Sequence, residues 1–156
     1  MLLELLEGFG VKTLSASGYE ADDVIGTLVT RFKGDTQIVI ASNDRDSWQL
    51  IDKGVLVMSP KGMGKKADWF DDWGVNAKFG FGPDFVVDYK ALIGDPSDNI
   101  PGVYGIGKVT AGKLISKYGH LENIYAHLDE ISGSVGKKLT EGKDSAFLSH
   151  DLATIV

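Results

Sequence analysis

The sequence has no cysteine. That excludes a disulfide framework and a thiolate metal site, and it is compatible with a reducing cytosol, so a cytoplasmic setting is expected. There is no apolar run long enough for a membrane-spanning helix. The start, Met1-Leu2-Leu3, has neither a basic region nor a small-residue cleavage site, so no secretory leader is expected there. Internal repeats and low-complexity tracts are missing too. Most pointedly, the chain lacks a basic surplus: 16 Lys and Arg face 22 Asp and Glu, a net charge of −6. Nucleic-acid-binding domains usually show the opposite balance.

What is present is an ordinary soluble composition, 43% hydrophobic and 24% charged over 156 residues. That is enough for one compact domain with room for a small subdomain. The charge is segregated. Residues 102–143 carry six Lys against four acids, whereas residues 20–98 carry fourteen acids against nine basic residues.

The patterning predicts an α/β part followed by a helical part, with the break near residue 94. Helices are expected over 2–9 and 20–32, the latter with Ala21, Val24, Ile25, Leu28, Val29 and Phe32 on one face. At about 100° per residue, Glu20 and Asp22 flank that face and Asp23 points away from it. Val11–Ala16 reads as a short strand. Gln37–Ala41 reads as a strand covered on both faces, and Val55–Met58 as another. A short helix around Trp48, a basic turn at Lys61–Lys65, and helices over 69–73 and 83–93 follow. Residues 107–118, 121–128 and 143–155 read as helices. Ser134–Leu139 reads as a weaker copy of a Gly-then-Lys turn entering a helix.

The chain is organised around Gly94-Asp95-Pro96-Ser97-Asp98-Asn99-Ile100-Pro101-Gly102, continuing through Gly105 to Gly107-Lys108. Two carboxylates three residues apart adjoin a glycine-punctuated turn and a basic helix start. Two further acidic clusters, Glu20/Asp22/Asp23 and Asp44/Asp46, fall at a loop–helix junction and a strand end, where open α/β sheets gather ligands. Taken singly, each cluster is also explained by helix capping or turn chemistry. Together they raise a charge problem. Two unit charges 4 Å apart repel by about 4 kcal/mol at an effective dielectric of 20. Divalent cations remove that cost, and all-oxygen ligands favour Mg²⁺ or Mn²⁺ over Zn²⁺. Two such ions suit phosphodiester cleavage.

Gly102 to Lys108 has the spacing of a nucleotide-binding P-loop. Val109, however, stands where Ser or Thr should ligate the cation, and Ile-Pro precedes instead of a buried strand, so that reading is rejected. A helix-hairpin-helix type turn fits better. Gly102, Gly105 and Gly107 would let backbone approach a phosphate, and the amides opening the 107–118 helix would face it. Lys108, Lys113 and Lys117 would add charge, and such contacts grip DNA backbone without reading bases. The plain alternative is a tight interhelical turn with solvated lysines.

Tyr19-Glu20-Ala21-Asp22-Asp23-Val24-Ile25-Gly26, Ser42-Asn43-Asp44-Arg45-Asp46 with Gln49-Leu50, and Gly94 through Val103 to Gly107-Lys108 and Thr110-Ala111 resemble the 5′→3′ exonuclease and flap endonuclease family. That family includes the 5′ nuclease domain of bacterial DNA polymerase I and stand-alone phage enzymes. The resemblance runs along the whole chain, with the motifs in the family's order. It implies a Rossmann-like (PIN-like) parallel-sheet α/β core over 1–94 and a helical DNA-binding subdomain over 95–156. It also implies Mg²⁺-dependent hydrolysis at DNA 5′ ends, flaps or branch points. Carried over by position, Glu20, Asp22, Asp23, Asp44, Asp46, Asp95 and Asp98 form the acidic metal site. Gly102, Gly105, Gly107 and Lys108 match the hairpin, where some members bind K⁺ through backbone carbonyls.

The resemblance also implies an earlier N-terminal segment that supplies two acidic positions and a basic arch. Met1 falls just after that region. The chain is therefore expected to be a fragment or one half of a split enzyme, needing a separate N-terminal polypeptide for full activity. A structure-selective DNA-binding module without turnover is the alternative.

Overall fold

The structure, a computed structural model, describes residues 2–156. Helix α1 (Leu2–Gly8) buries none of its residues, and Leu2, Leu3, Leu5 and Phe9 lie open. Val11–Ala16 is not the expected strand. It runs exposed and irregular, because no described strand offers it a ladder partner.

Helix α2 (Ala21–Phe32) forms as its periodicity requires, with Val29 and Gly26 buried. Asp23 secures its start by accepting a hydrogen bond from the Glu20 N–H at 3.0 Å, and acids in this turn suit the helix dipole. Strand β1 (Ile38–Ala41) follows and pairs in parallel with β2 (Val55–Ser59), Ile40 opposite Val57. That pair is the parallel α/β core. Strand β3 (Asp68–Phe70) adds an antiparallel edge, giving a small mixed sheet in the order β1-β2-β3. The expectation that β1 is covered on both faces is corrected: Ile40 is buried but Val39 is 46% exposed. β1 is an edge strand in this sheet, and α2 packs beside it.

The expected helix over 69–73 is also corrected. Trp69 sits in β3 opposite Met58, as its β-favouring aromatic side chain permits. Asp71 then caps α3 (Asp72–Phe79), accepting from the Gly74 N–H at 2.7 Å, which fixes the helix start after the strand. A 3₁₀ turn at Pro83–Phe85 leads into α4 (Val86–Ile93).

The remaining elements are helical: α5 (Lys108–Tyr118), α6 (Leu121–Ala126), α7 (Gly133–Glu141) and α8 (Lys143–Ala153). The supposed second Gly-Lys turn is helix interior, since Gly136 and Lys137 both lie within α7. Gly136 is there for close packing; a Cβ on it would come 1.9 Å from the Ile131 carbonyl oxygen.

Two hydrophobic clusters divide the molecule. One joins Val29, Ile40, Trp48, Ile51, Val55, Val57 and Val75 around the sheet. The other joins the helices through Leu92, Val103, Ile115, Leu121, Ile124, Leu139 and Ala146, and it reaches back to Phe81. Full burial of each large aliphatic side chain contributes roughly 1.5–3 kcal/mol. Phe79 touches both clusters. Helix α4 packs against α8 and α5 on one side and against the turn after β1 on another, so it fixes the acidic stretches relative to each other. No described helix is long and apolar enough to cross a membrane.

Candidate functional site

Three segments supply the site. Beyond the C-terminal end of β1, the Ser42 hydroxyl accepts from the Asp44 N–H at 3.0 Å, and the Asp44 carboxylate accepts from the Asp46 N–H at 3.0 Å. These local bonds hold a turn that continues into a 3₁₀ segment, Asp46–Leu50. Trp48 in that segment is buried, its ring centroid 4.5 Å from that of Phe70 and tilted against it, and so anchors Asp46 to the sheet core.

The second segment follows α4. Gly94 turns the chain, and Asp95 and Ile100 exchange two backbone hydrogen bonds of 2.9 Å. The loop they close contains Asn99 in the left-handed region, φ 58°. The Asp95 carboxylate accepts from the Ser97 hydroxyl at 2.5 Å and from the Ser97 amide at 3.0 Å. Those bonds, the hydroxyl's foremost, hold the Asp95 carboxyl below the usual carboxylate range.

These segments meet. Asp46, Asp95 and Asp98 place carboxylate oxygens within 4.8 Å of one another. The third segment, the start of α2, faces the same charge. Burial raises the Asp22 carboxyl above its usual range, and the Asp44 and Asp46 carboxylates raise it further. Glu20 caps α2 beside it. Asp23 is engaged with backbone instead: its oxygens accept from the Glu20 N–H at 3.0 Å and the Val156 N–H at 3.0 Å.

One member of the site escaped sequence reasoning. Lys90, on α4, donates to both Asp46 oxygens at 2.6 and 2.5 Å and to Asp98 at 2.8 Å. Its ammonium lies 3.2 Å from Asp95. Burial alone would depress Lys90, but hydrogen bonds to Asp46 and Asp98 outweigh it and hold the ammonium protonated well above the ordinary lysine range. Asp46 is raised, chiefly by burial, with Lys90 opposing. The available signal was a lysine inside the apolar run Val86–Ile93, one turn ahead of Gly94-Asp95.

The hairpin follows directly. The Gly102 N–H donates to the Ser149 hydroxyl at 2.9 Å, and the Ser145 hydroxyl donates to the Gly102 carbonyl at 2.6 Å, so α8 clamps the turn. Gly102 and Gly94 stack backbone on backbone: a Cβ on Gly102 would lie 2.3 Å from the Gly94 nitrogen. The Lys138 ammonium donates to the Gly105 carbonyl at 3.0 Å. Gly107 has open space around it and leads into α5 without a side-chain cap. The first amides of that helix therefore have no intrahelical partner, the arrangement that favours an anion. Lys108 and Lys113 are exposed. Lys117 instead donates to the Tyr118 hydroxyl at 2.6 Å and lies 3.6 Å from Glu130. Tyr104, 95% exposed at the hairpin tip, was not singled out from sequence.

Behind the site, Asp88 is 2% exposed on α4. It accepts from the Leu121 N–H at 2.7 Å and lies 3.0 Å from the His120 ring nitrogen. It thereby ties α4 to the start of α6.

Comparison with known proteins places the fold in a family. A family model described as 5′-3′ exonuclease, N-terminal resolvase-like domain, matches residues 1–80. A second, 5′-3′ exonuclease, C-terminal SAM fold, matches residues 81–156. The DNA polymerase I of Caldicellulosiruptor bescii is 50% identical over 156 residues, covering 98% of this chain and 18% of that protein. The chain thus spans less than a fifth of the length of that relative. Among solved structures, the bacteriophage T5 5′-exonuclease with bound divalent metal ions (zinc) superposes with a TM-score of 0.81 at 22% identity, over 96% of this chain and 55% of that one. The T5 flap endonuclease, as a pseudo-enzyme-product complex with DNA and metal ions, gives 0.81 at 22% identity, over 97% and 55%. At that identity the likeness is one of fold.

Proposed function

The chain belongs to the 5′-3′ exonuclease family, and from that membership we propose that it takes part in divalent-cation-dependent hydrolysis of phosphodiesters at DNA 5′ ends or flaps. The observation that carries this reading is the meeting of Asp46, Asp95 and Asp98 within 4.8 Å, immediately ahead of a clamped glycine hairpin. The donor set fits the cation: three carboxylates are hard oxygen ligands suited to Mg²⁺ or Mn²⁺. Ser97 orients Asp95 from behind, as outer-shell partners do for metal ligands. A cation held there supplies charge neutralisation at the phosphate and activation of the attacking water.

The chain's own residues do the rest. Asp46, Asp95 and Asp98 hold one cation. Glu20, Asp22 and Asp44 line the edge of a second position, while Asp23 braces the start of α2 through its backbone bonds. Among the described residues only the first trio forms a compact cluster, so full turnover draws on carboxylates from the N-terminal segment that the family resemblance implies. The amides opening α5, with Gly102, Gly105 and Gly107 shaping the turn, take the duplex backbone. Lys108, Lys113 and Lys117 add charge along one helix. A K⁺ ion at the hairpin would meet Lys138, which already donates to the Gly105 carbonyl.

A labelled 5′-flap duplex in Mg²⁺ tests the reading, with the chain alone and with the N-terminal segment supplied as a second polypeptide. Cleavage that appears or rises strongly with the segment is expected. Salt-sensitive binding without turnover in either case would instead favour a non-catalytic duplex-binding module. Absence of both binding and cleavage would refute the assignment.

A further inference from the structure

The Lys90 ammonium is 2.5 Å from Asp46, 2.8 Å from Asp98 and 3.2 Å from Asp95. Its side chain is only 9% exposed. The three carboxylates it touches are the three whose oxygens approach one another within 4.8 Å. A point within ligand reach of oxygens that close together is the point the ammonium already holds. A buried ammonium is costly unless it is paired. Three clustered carboxylates are costly unless something positive stands among them. Each explains the other. Ser97 fixes Asp95 by separate bonds, so the trio is braced on one side and closed on the other by Lys90.

We propose that Lys90 is a built-in counter-ion: it stands where a divalent cation would bind, keeps Asp46, Asp95 and Asp98 assembled without one, and sets by competition the concentration at which the cation enters. The inference rests on the cation site proposed above. Charge favours exchange, because a divalent ion neutralises the trio more completely than one ammonium does. The side chain also has somewhere to go. A cavity of about 250 Å³, lined by Trp48, Phe81, Val86, Tyr89 and Lys90 itself, opens beside the cluster, with Arg45 and Lys108 among its lining residues. A lysine stem lies comfortably along such apolar surface while its ammonium turns to water or to an anion.

The test is Mn²⁺ binding to the 156-residue chain, followed by electron paramagnetic resonance, for wild type and Lys90→Met. The variant is expected to bind Mn²⁺ at least about tenfold more tightly, since a competing positive charge has gone. It should also melt at a lower temperature in EDTA and gain more than wild type does from saturating Mn²⁺. A lysine serving only to hold the fold together would give the opposite sign, because its loss would loosen the site. Equal or weaker Mn²⁺ affinity in Lys90→Met, with wild type binding normally, would overturn the counter-ion role and leave the cation site standing. No Mn²⁺ binding by either protein would overturn both. Should Lys90→Met fail to fold, wild type labelled with ¹³C at lysine Cε gives the answer. The Lys90 signal is expected to move on Mg²⁺ saturation, and an unmoved signal while Mg²⁺ binds would refute the exchange.

Discussion

Replacing Gly102 with alanine should be among the most damaging single changes in the hairpin, and the structure says by how much. Gly102 has φ +64°, and its added Cβ would sit 2.3 Å from the Gly94 nitrogen and 2.7 Å from both the Gly94 Cα and the Ile93 carbonyl carbon. Left-handed backbone costs an L-residue roughly 1–2 kcal/mol. The overlap is with main chain, which cannot rotate aside, so the two turns must separate. Overpacking of that kind typically costs about 1–3 kcal/mol. Separation also strains the hydrogen bond from the Val103 N–H to the Leu92 carbonyl, 2.9 Å, and the one from Gly102 to Ser149, 2.9 Å, each contributing roughly 0.5–1.5 kcal/mol. The expected loss is about 3–8 kcal/mol, a large share of a domain's ordinary ~5–15 kcal/mol. Urea unfolding followed by circular dichroism measures it. Gly112→Ala is the control: it lies inside α5 with nothing within 4 Å, so alanine there should be neutral or stabilising by up to ~1 kcal/mol. If Gly102→Ala unfolded at the same urea concentration as Gly112→Ala, the backbone contact between the two turns would be refuted.

Other outcomes follow from the packing of the helical part and its hairpin. Asp88→Ala strips the buried acceptor from the Leu121 amide and His120, and should cost about 3–6 kcal/mol in urea unfolding, since charged hydrogen bonds contribute roughly 1.5–3 kcal/mol each; a loss under 1 kcal/mol would contradict it. Burial pushes the Tyr125 hydroxyl up to about 12. A pKa raised above the unfolded value of ~10 means its stabilising contribution is whole below pH ~10 and is lost as pH climbs toward 12. Tyr125→Phe should therefore be slightly less stable at neutral pH, losing its bond to the Leu139 carbonyl, and should close that gap under alkali; thermal melts at pH 8 and pH 11 decide. The double variant Asp46→Ala, Asp95→Ala should lose the rise in melting temperature that Mn²⁺ gives wild type, and an undiminished rise would move the site elsewhere. Lys108→Ala should weaken duplex binding uniformly across sequences and lower the slope of log affinity against log salt by about one; an unchanged slope would remove Lys108 from the interface.

The sequence was most legible where one local rule dominated. Residues 20–32 and 107–118 have clean helical periodicity, and the structure places α2 and α5 there within a residue or two. Elements whose state depends on neighbours were harder to read. Val11–Ala16 has strand-like residues but, among the described residues, no strand beside it, and Trp69 became a strand residue because β2 was available for pairing. The apolar run of β1 suggested cover on both faces, yet an edge position leaves Val39 open. At the site, Asp46, Asp95 and Asp98 could be proposed only jointly: each acidic cluster alone reads as capping or turn chemistry, and it was their shared place at strand ends and loop–helix junctions that pointed to one site. Lys90 was not, because a lysine within an apolar helix reads as surface until the fold shows which carboxylates surround it. Asp88 was hidden in the same way: its role is defined by the α6 amide it caps, thirty-three residues away.

On the proposed function, the arrangement joins two jobs through one piece of backbone. The turn bearing Asp95 and Asp98 and the turn that opens the hairpin touch at Gly94 and Gly102, where side chains are excluded on both strands of the contact. Helix α8 grips Gly102 from both its N–H and its carbonyl through Ser149 and Ser145. On that reading, a DNA strand held by the α5 amides therefore has little freedom to slide relative to the carboxylates. Positioning of that kind, with the reacting phosphate fixed by contacts made elsewhere on the strand, is where much of the rate of a phosphoryl-transfer site originates. Ser145→Ala combined with Ser149→Ala releases the clamp without touching a carboxylate or a lysine. On the proposed function it should leave Mn²⁺ affinity near wild type and lower flap cleavage in the completed enzyme. It should also spread the positions of the cuts, read as a broadened product ladder on a sequencing gel. A sharp, unshifted ladder at reduced yield would mean that the serines serve stability alone and that the register is set by something other than the hairpin.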